Sequence, residues 1–338
     1  MASLVSILIP AYNAEAWISD TIRSAIAQTW PDKEIIIVDD GSRDQTLAVA
    51  RQFSSQEVTV VTQPNSGAAV ARNHAYSICR GDYIQWLDAD DLLAPDKITL
   101  QMAALGNASR KTLLSSKWAY FMFRPRKARF APTALWENLS PLDWLVRKLD
   151  LNLHMQPATW LVSRELSEAA GPWDTRLTLD DDGEYFCRVL LACERVQFVP
   201  GARMYYRRSG AGSLSNVGRS TKKMESQFLS MQLHIKYIRS LEDSDRVRQA
   251  CLKYLQRLTI YFYPDRLDLI DRMRAMATEL GGQLENPKLT WKYYWIQKLF
   301  GWEWGKRASM CLPQFRASIS RSWDKTCFRL EQERIGSL

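Results

Sequence analysis

Three observations predict an α/β fold built on a mostly parallel sheet. Strand-like and helix-like segments alternate through about the first 115 residues, the pattern of a sheet whose crossovers are helices. The first strand-like run, Val5–Ile9, is continuously apolar, as a strand covered on both faces must be. Polar clusters follow the first, second and fourth strand-like runs. They therefore fall on the carboxyl edge of the sheet, where such sheets bind ligands.

The first strand, Val5–Ile9, ends in Pro10-Ala11-Tyr12-Asn13, and Asn13 is expected to cap a helix carrying Ile18, Ile22, Ala25 and Thr29 at helical spacing. Glu34–Val38 reads as a second strand ending in Asp39-Asp40-Gly41-Ser42, followed by a helix over 44–53 and a third strand over 58–62. Gly67 leads into a helix over 68–79, and Tyr83–Leu87 is a strand ending in Asp88-Ala89-Asp90-Asp91. Prolines punctuate 116–215, which predicts short strands and loops completing the site. Beyond 216 the pattern is helical, with stripes at Met224, Phe228, Met231, Ile235 and Ile238 and at Val247, Cys251, Tyr254, Leu255, Leu258 and Phe262.

The expected division is therefore an α/β domain over 1–215 and a basic, Trp-rich helical region over 216–338. Charge divides similarly: residues 1–200 carry a net −4 and residues 201–338 a net +12. Six scattered cysteines without a CxxC pair, and three histidines far apart, exclude zinc-site spacing and fit reduced thiols in a cytoplasmic protein. No signal-peptide pattern opens the chain and no apolar run is long enough to span a bilayer. A P-loop is absent, and Gly210-Ala211-Gly212 lacks the third glycine of a dinucleotide fingerprint, which argues against an ATPase and a dehydrogenase.

Three carboxylates within 88–91 repel one another unless a cation sits among them. Oxygen-only ligands suit Mg²⁺ or Mn²⁺, ions that also grip phosphates; the alternative is that Asp90 or Asp91 caps a helix containing Asp96-Lys97-Ile98. Tyr12 can stack on a flat base or pack in the core. Asp39 and Asp40 can accept from a base or ribose, or simply form a turn. Arg72, early in its helix, can receive phosphate or lie on the surface. Asp180-Asp181-Asp182-Gly183-Glu184 places four acids within five positions, and a helix cap explains one of them. Like-charged neighbours raise a carboxylate's pKa and make it a better proton acceptor.

Pro10-Ala11-Tyr12-Asn13, Val38-Asp39-Asp40-Gly41-Ser42, Gly67 with Ala71-Arg72-Asn73, Leu87-Asp88-Ala89-Asp90-Asp91, and Asp181-Asp182-Gly183-Glu184 with Arg188 together resemble the family 2 glycosyltransferases of the GT-A fold. The resemblance covers about residues 3–215. It implies an inverting, metal-dependent enzyme that uses a nucleotide-sugar donor, most often a UDP-sugar, in polysaccharide or glycolipid assembly. Pro10, Tyr12, Asn13, Asp39, Asp40 and Arg72 would form the donor site, with Tyr12 and Asp39 on the base. Asp88 would touch the ribose or sugar, and Asp90 with Asp88 would hold Mn²⁺ or Mg²⁺. Asp182 would be the base, with Asp181 the alternative, since the usual Glu-Asp pair is here Asp-Asp. Arg207, within Tyr206-Arg207-Arg208, and Ser213-Leu214-Ser215 resemble a segment that closes over the diphosphate.

Trp160 and Glu184 are candidates for the acceptor side, in a region that also holds His154. The acceptor would be a saccharide or a lipid-linked saccharide. Residues 288–307 mix Trp291, Tyr293, Tyr294, Trp295, Phe300, Trp302 and Trp304 with Lys292, Lys298, Lys306 and Arg307. This composition suits peripheral contact with an anionic membrane on its inner face, or a subdomain that buries the aromatics on the catalytic domain or in a homo-oligomer. No nucleic-acid-binding fold is indicated. Two rival functions use the same site: a nucleotidyltransferase, and a non-catalytic sugar-nucleotide-binding protein of the membrane surface.

Overall fold

The computed structural model describes residues 3–209 and 220–336. The first half is laid out as β1 (Val5–Ala11), α1 (Ile18–Ile26), β2 (Lys33–Asp39), α2 (Thr46–Arg51), β3 (Val58–Thr62), α3 (Ala68–Ile78), β4 (Tyr83–Trp86), β5 (Leu92–Leu93), α4 (Lys97–Leu105) and β6 (Thr112–Phe121). Then come α5 (Pro141–Leu151), β7 (Val162–Ser163), α6 (Arg164–Ala170), α7 (Asp181–Ala192) and β8 (Arg195–Arg207), followed by five helices, α8 (Thr221–Leu241), α9 (Asp245–Phe262), α10 (Leu267–Glu279), α11 (Trp291–Phe300) and α12 (Trp302–Gly336).

The main sheet has the order β3-β2-β1-β4-β7, parallel except for β7. Val5, Ile7, Leu8 and Ile9 are buried because helices cover both faces, so the strand needs no polar alternation. Register then sets the site. Ala11 pairs with Asp39, and Leu8 with Trp86, so Tyr12, Asp40 and Asp88 leave the same edge of the sheet.

A second sheet, β5-β8-β6, lies beyond the acidic loop. Its core is a long parallel pairing of β6 and β8 in which Ser116 faces Val199 but Lys117 faces Arg203. The jump falls at Pro200 and Gly201, where proline cannot donate to the ladder and the longer strand bulges. The expectation of short strands over 116–215 is corrected here: β8 is 13 residues long, and the proline that reads as a break is absorbed as a bulge.

Several capping expectations also change. Helix α1 begins at Ile18, and Asn13 sits upstream in a left-handed conformation, accepting from the Arg43 amide at 2.8 Å. Thr29 lies beyond that helix. Helix α4 is entered at Asp96, with β5 between it and Asp90 and Asp91, so neither acid caps it. Helix α7 starts at Asp181 after a left-handed Asp180, which places Asp181, Asp182 and Glu184 in its first turn and leaves none of them at the cap.

The stripes of α8 and α9 are buried as expected, and four cysteines, 79, 187, 193 and 251, are core residues among six free thiols. By contrast, α11 has no fully buried side chain, and its Trp291, Tyr294, Trp295 and Phe300 are exposed. Among the described residues no helix is long and apolar enough to cross a membrane.

Trp160 is 1% exposed, stacked on Phe186 and tilted against Trp144. It is a core residue and offers no face to a sugar, which corrects its assignment to the acceptor. Trp160→Ala is expected to cost about 3–5 kcal/mol in chemical denaturation, with nucleotide affinity by calorimetry unchanged.

Candidate active site

The first strand ends give an aromatic surface and a buried acid. Tyr12 is 44% exposed, and its ring is open to stack on a planar ligand. Asp39 is buried; its Oδ2 accepts from the Ser42 amide and the Thr62 hydroxyl, while Oδ1 has no partner. An orphaned buried carboxylate oxygen costs free energy until a donor reaches it. A ligand N–H placed there would supply that donor.

Asp40 is different. Its two oxygens accept from Gln63 Nε2 at 2.7 Å, the Ser66 amide at 2.9 Å, the Gly67 amide at 2.8 Å and Asn65 Nδ2 at 3.2 Å. Both carboxylate oxygens are taken up in shaping the 63–67 loop ahead of α3. Gly67 permits the loop through its φ of 98°. Asn13 likewise works on the scaffold, tying the first strand end to Ser42 and Arg43. Pro10 sits inside β1, opposite Val38.

Arg72 joins the two acidic groups. Its guanidinium donates to Asp88 Oδ1 at 2.8 Å and to Asp181 Oδ2 at 2.7 Å, across 109 residues in the second case. Trp173 lies under the guanidinium, 4.4 Å from ring centroid to Cζ, and itself stacks on Tyr185. Burial opposes the charge, but Asp88 and Asp181 outweigh it and hold the arginine firmly protonated. Arg72 is thus a buried bridge, neither a surface residue nor a cation standing open to phosphate. Sequence reasoning missed Trp173, which carries no local motif; only its contact with Arg72 reveals it.

In the 88–91 loop, burial and the neighbouring Asp88 push Asp90 up to about 6. Asp91 is raised well above the usual carboxylate range by burial and then by Asp90; its Oδ1 accepts from the Arg207 amide and its Oδ2 has no partner. Arg207 itself is buried. It donates to the carbonyls of Asp90 and Met122 and reaches Asp20, sandwiched between Trp17 and Phe121. Each guanidinium nitrogen is taken up within the protein, one of them by the acidic loop, which corrects its expected place on the diphosphate. Ser213-Leu214-Ser215 and Gly210-Ala211-Gly212 fall outside the described residues.

Among the described residues no three or more His, Cys, Asp or Glu side chains form a metal cage. A cation nevertheless fits the loop as an incomplete site. Asp88 and Asp90 offer oxygen donors only, and Asp90 is a carboxylate that its surroundings fail to neutralise. Substrate phosphate oxygens and water would have to complete the shell.

On the facing helix, burial and then Asp181 and Asp180 push Asp182 up to about 7. Burial also raises Asp181, with Arg72 pulling it back. Asp182 therefore sits near the range a general base needs, while Asp181 is committed to Arg72. Asp180 is turned away, accepting from Ser230 Oγ, and Ser226 Oγ accepts from the amides of Thr178 and Leu179. Helix α8 thus fixes the turn that enters α7.

Glu184 is 1% exposed, paired with Arg188 and accepting from Tyr237 at 2.9 Å. It anchors α7 to α8 and does not face an acceptor, another correction. A cavity of about 40 Å³ lies beside Asp182, touched by Lys148, His154 and Trp160. It has room for water but not for a sugar.

Residues 6–169 match the family described as Glycosyl transferase family 2. The chain carries a family 2 glycosyltransferase domain. It is 44% identical over 99 residues to the chondroitin synthase of Escherichia coli, a match covering 29% of this chain and 14% of that one. To the putative teichuronic acid biosynthesis glycosyltransferase TuaG of Bacillus subtilis it is 43% identical over 102 residues, 29% of this chain and 40% of that one. The matched stretch is thus less than half the length of either relative.

Among solved structures, S. aureus TarS 1-349 in complex with UDP-GlcNAc superposes with a TM-score of 0.64 at 17% identity, covering 82% of this chain and 81% of that one. The complex of TarS 1-349 with UDP gives 0.58 at 19% identity, over 88% and 79%. At this identity the likeness establishes the fold, which is the GT-A architecture. The family 2 domain extends from β1 through α6, so the acids of α7 lie just past its matched end.

Lysine cannot span both acids as the guanidinium fork does. Arg72→Lys is expected to lose about 3 kcal/mol in urea unfolding, the cost of leaving one buried carboxylate unpaired.

Proposed function

We propose that this chain is an inverting, metal-dependent glycosyltransferase that moves a sugar from a UDP-sugar to a hydroxyl of a saccharide or lipid-linked saccharide. The observation that carries the reading is the Arg72 bridge, which brings the Asp88 loop and the Asp181–Asp182 turn into one cleft. The likeness to a chondroitin synthase and to a putative teichuronic acid biosynthesis glycosyltransferase supports a role in polysaccharide synthesis, and the UDP and UDP-GlcNAc complexes of the structural neighbours support a uridine donor.

In this reading Tyr12 stacks on the uracil and Asp39 Oδ1 accepts from its imide N–H, ending that oxygen's isolation. Asp88 and Asp90 would hold Mn²⁺ or Mg²⁺, which would supply charge to offset that building on the leaving diphosphate. Asp182 takes the proton from the acceptor hydroxyl as its oxygen attacks the anomeric carbon opposite the diphosphate, so configuration inverts. Arg72 keeps Asp181 ionised beside the base, and that negative charge, added to burial, sustains the raised pKa of Asp182.

Purified protein with Mn²⁺ and a panel of UDP-, GDP- and dTDP-sugars should release UDP from one UDP-sugar. EDTA and Asp90→Ala should each abolish release. Release of a GDP or dTDP product, or release untouched by EDTA, would overturn the donor or metal assignment. Asp182→Asn is expected to lower transfer by about 10²–10⁴-fold while leaving UDP affinity intact.

Because the base must be unprotonated, kcat/KM should rise with pH through about 7, the value to which Asp182 is pushed. The variant's residual rate should lack that limb. The sign for stability runs the other way. A carboxyl whose folded pKa is raised costs stability once pH passes its unfolded value, so Asp182→Asn should raise the melting temperature at pH 8 more than at pH 4.

A further inference from the structure

We propose that the outward faces of α11 and α12 form a docking surface for an anionic lipid bilayer. On α12, Phe315, Ile319 and Trp323 are 57–70% exposed, and with Leu312 and Leu330 they recur at helical spacing as one stripe. The helix has 35 residues, roughly 50 Å of length. On the adjoining α11, Trp291 is 81% exposed and Trp295 57%. Exposed aliphatic and aromatic side chains on this scale mark a surface that meets something.

The side that faces the domain is already occupied. Asp324 pairs with Arg124 at 2.7 Å, Glu331 pairs with Arg124 and Arg126, Phe328 meets Phe123, and Arg321 donates to the Ser209 carbonyl. The stripe is therefore the opposite face of a helix that is firmly docked, not the unsettled side of a loose one.

Charge selects the occupant. Residues 288–338 carry ten Lys and Arg against four Asp and Glu; two of those acids, Asp324 and Glu331, pair with Arg124 and Arg126, and two of the cations, Lys288 and Lys306, pair with Glu285 and Asp265. The exposed surface left over is cationic. A second copy would bring the same cations against themselves across a two-fold axis, whereas anionic headgroups neutralise them. Tryptophan and tyrosine prefer the headgroup boundary, and a long ridge with flanking cations suits a plane better than a groove. Asp90 and Ser209 interact, and Arg321 binds Ser209, so α12 lies close to the acidic loop. A helix lying on the bilayer would set that loop near the surface.

Docking does not depend on the glycosyltransferase reading, and its test reads no turnover. The full chain is sedimented with vesicles of phosphatidylcholine alone and with vesicles doped with phosphatidylglycerol. The protein should pellet with the doped vesicles only and be released by about 0.5 M NaCl, where the Debye length falls to a few ångströms. Trp323→Glu should weaken binding at least about tenfold with an unchanged circular dichroism melt. Should that variant fold poorly, Lys292→Glu with Lys298→Glu, which alters only exposed charge, is expected to give the same loss. Absence from both pellets, equal binding to both vesicle types, or a lipid-independent dimer that Trp323→Glu dissociates in sedimentation velocity would each overturn the proposal.

Discussion

The site depends on one buried cation. Arg72 holds Asp88 on one side and Asp181 on the other, and Trp173 supports the guanidinium from below. Two carboxylate-bearing segments that far apart in sequence would repel one another if nothing lay between them. A lysine point charge could satisfy one of them; the planar fork satisfies both and fixes their separation. The acids gathered at this edge of the sheet can coexist because this residue is there.

Much of the surrounding structure keeps the acids in place without neutralising them all. Arg207 spends its guanidinium on backbone carbonyls and Asp20, and its amide on Asp91. Asp90 keeps its raised pKa, a state that favours binding a cation. At the other acidic group, burial raises both aspartates; Arg72 pulls Asp181 part of the way back, while Asp182 is pushed up to about 7. Two adjacent aspartates are thereby given different chemistry by which of them touches the arginine. Helix α8, far along the chain, holds Thr178, Leu179 and Asp180 through Ser226 and Ser230. The helical region therefore helps to set the geometry of the base.

The strands and the acidic loops were legible in the sequence because their signals are local: a continuous apolar run, a turn, a cluster of acids. Depth was not. Asp40, Arg207 and Glu184 look like site residues by type and position, yet their partners lie elsewhere in the chain, in the 63–67 loop, at Asp90 and Met122, and on α8. Only the folded chain reveals that those partners consume them. Trp160 reads as a sugar platform or, more readily, as a core residue, and the rings of Phe186 and Trp144 decide for the core. The exposed aromatics of α11 are the reverse case: composition left burial open, and among the described residues Trp291, Tyr294, Trp295 and Phe300 stay exposed.

The most direct measurement is a crystal structure of the full chain with Mn²⁺ and a UDP-sugar analogue whose sugar cannot leave. The arrangement around Arg72 predicts the diphosphate and cation at Asp88 and Asp90, with the Asp182 carboxylate facing the anomeric carbon from the opposite side and both arginine pairs intact. A diphosphate bound away from Asp90, or an Asp182 carboxylate directed away from the sugar, would contradict it.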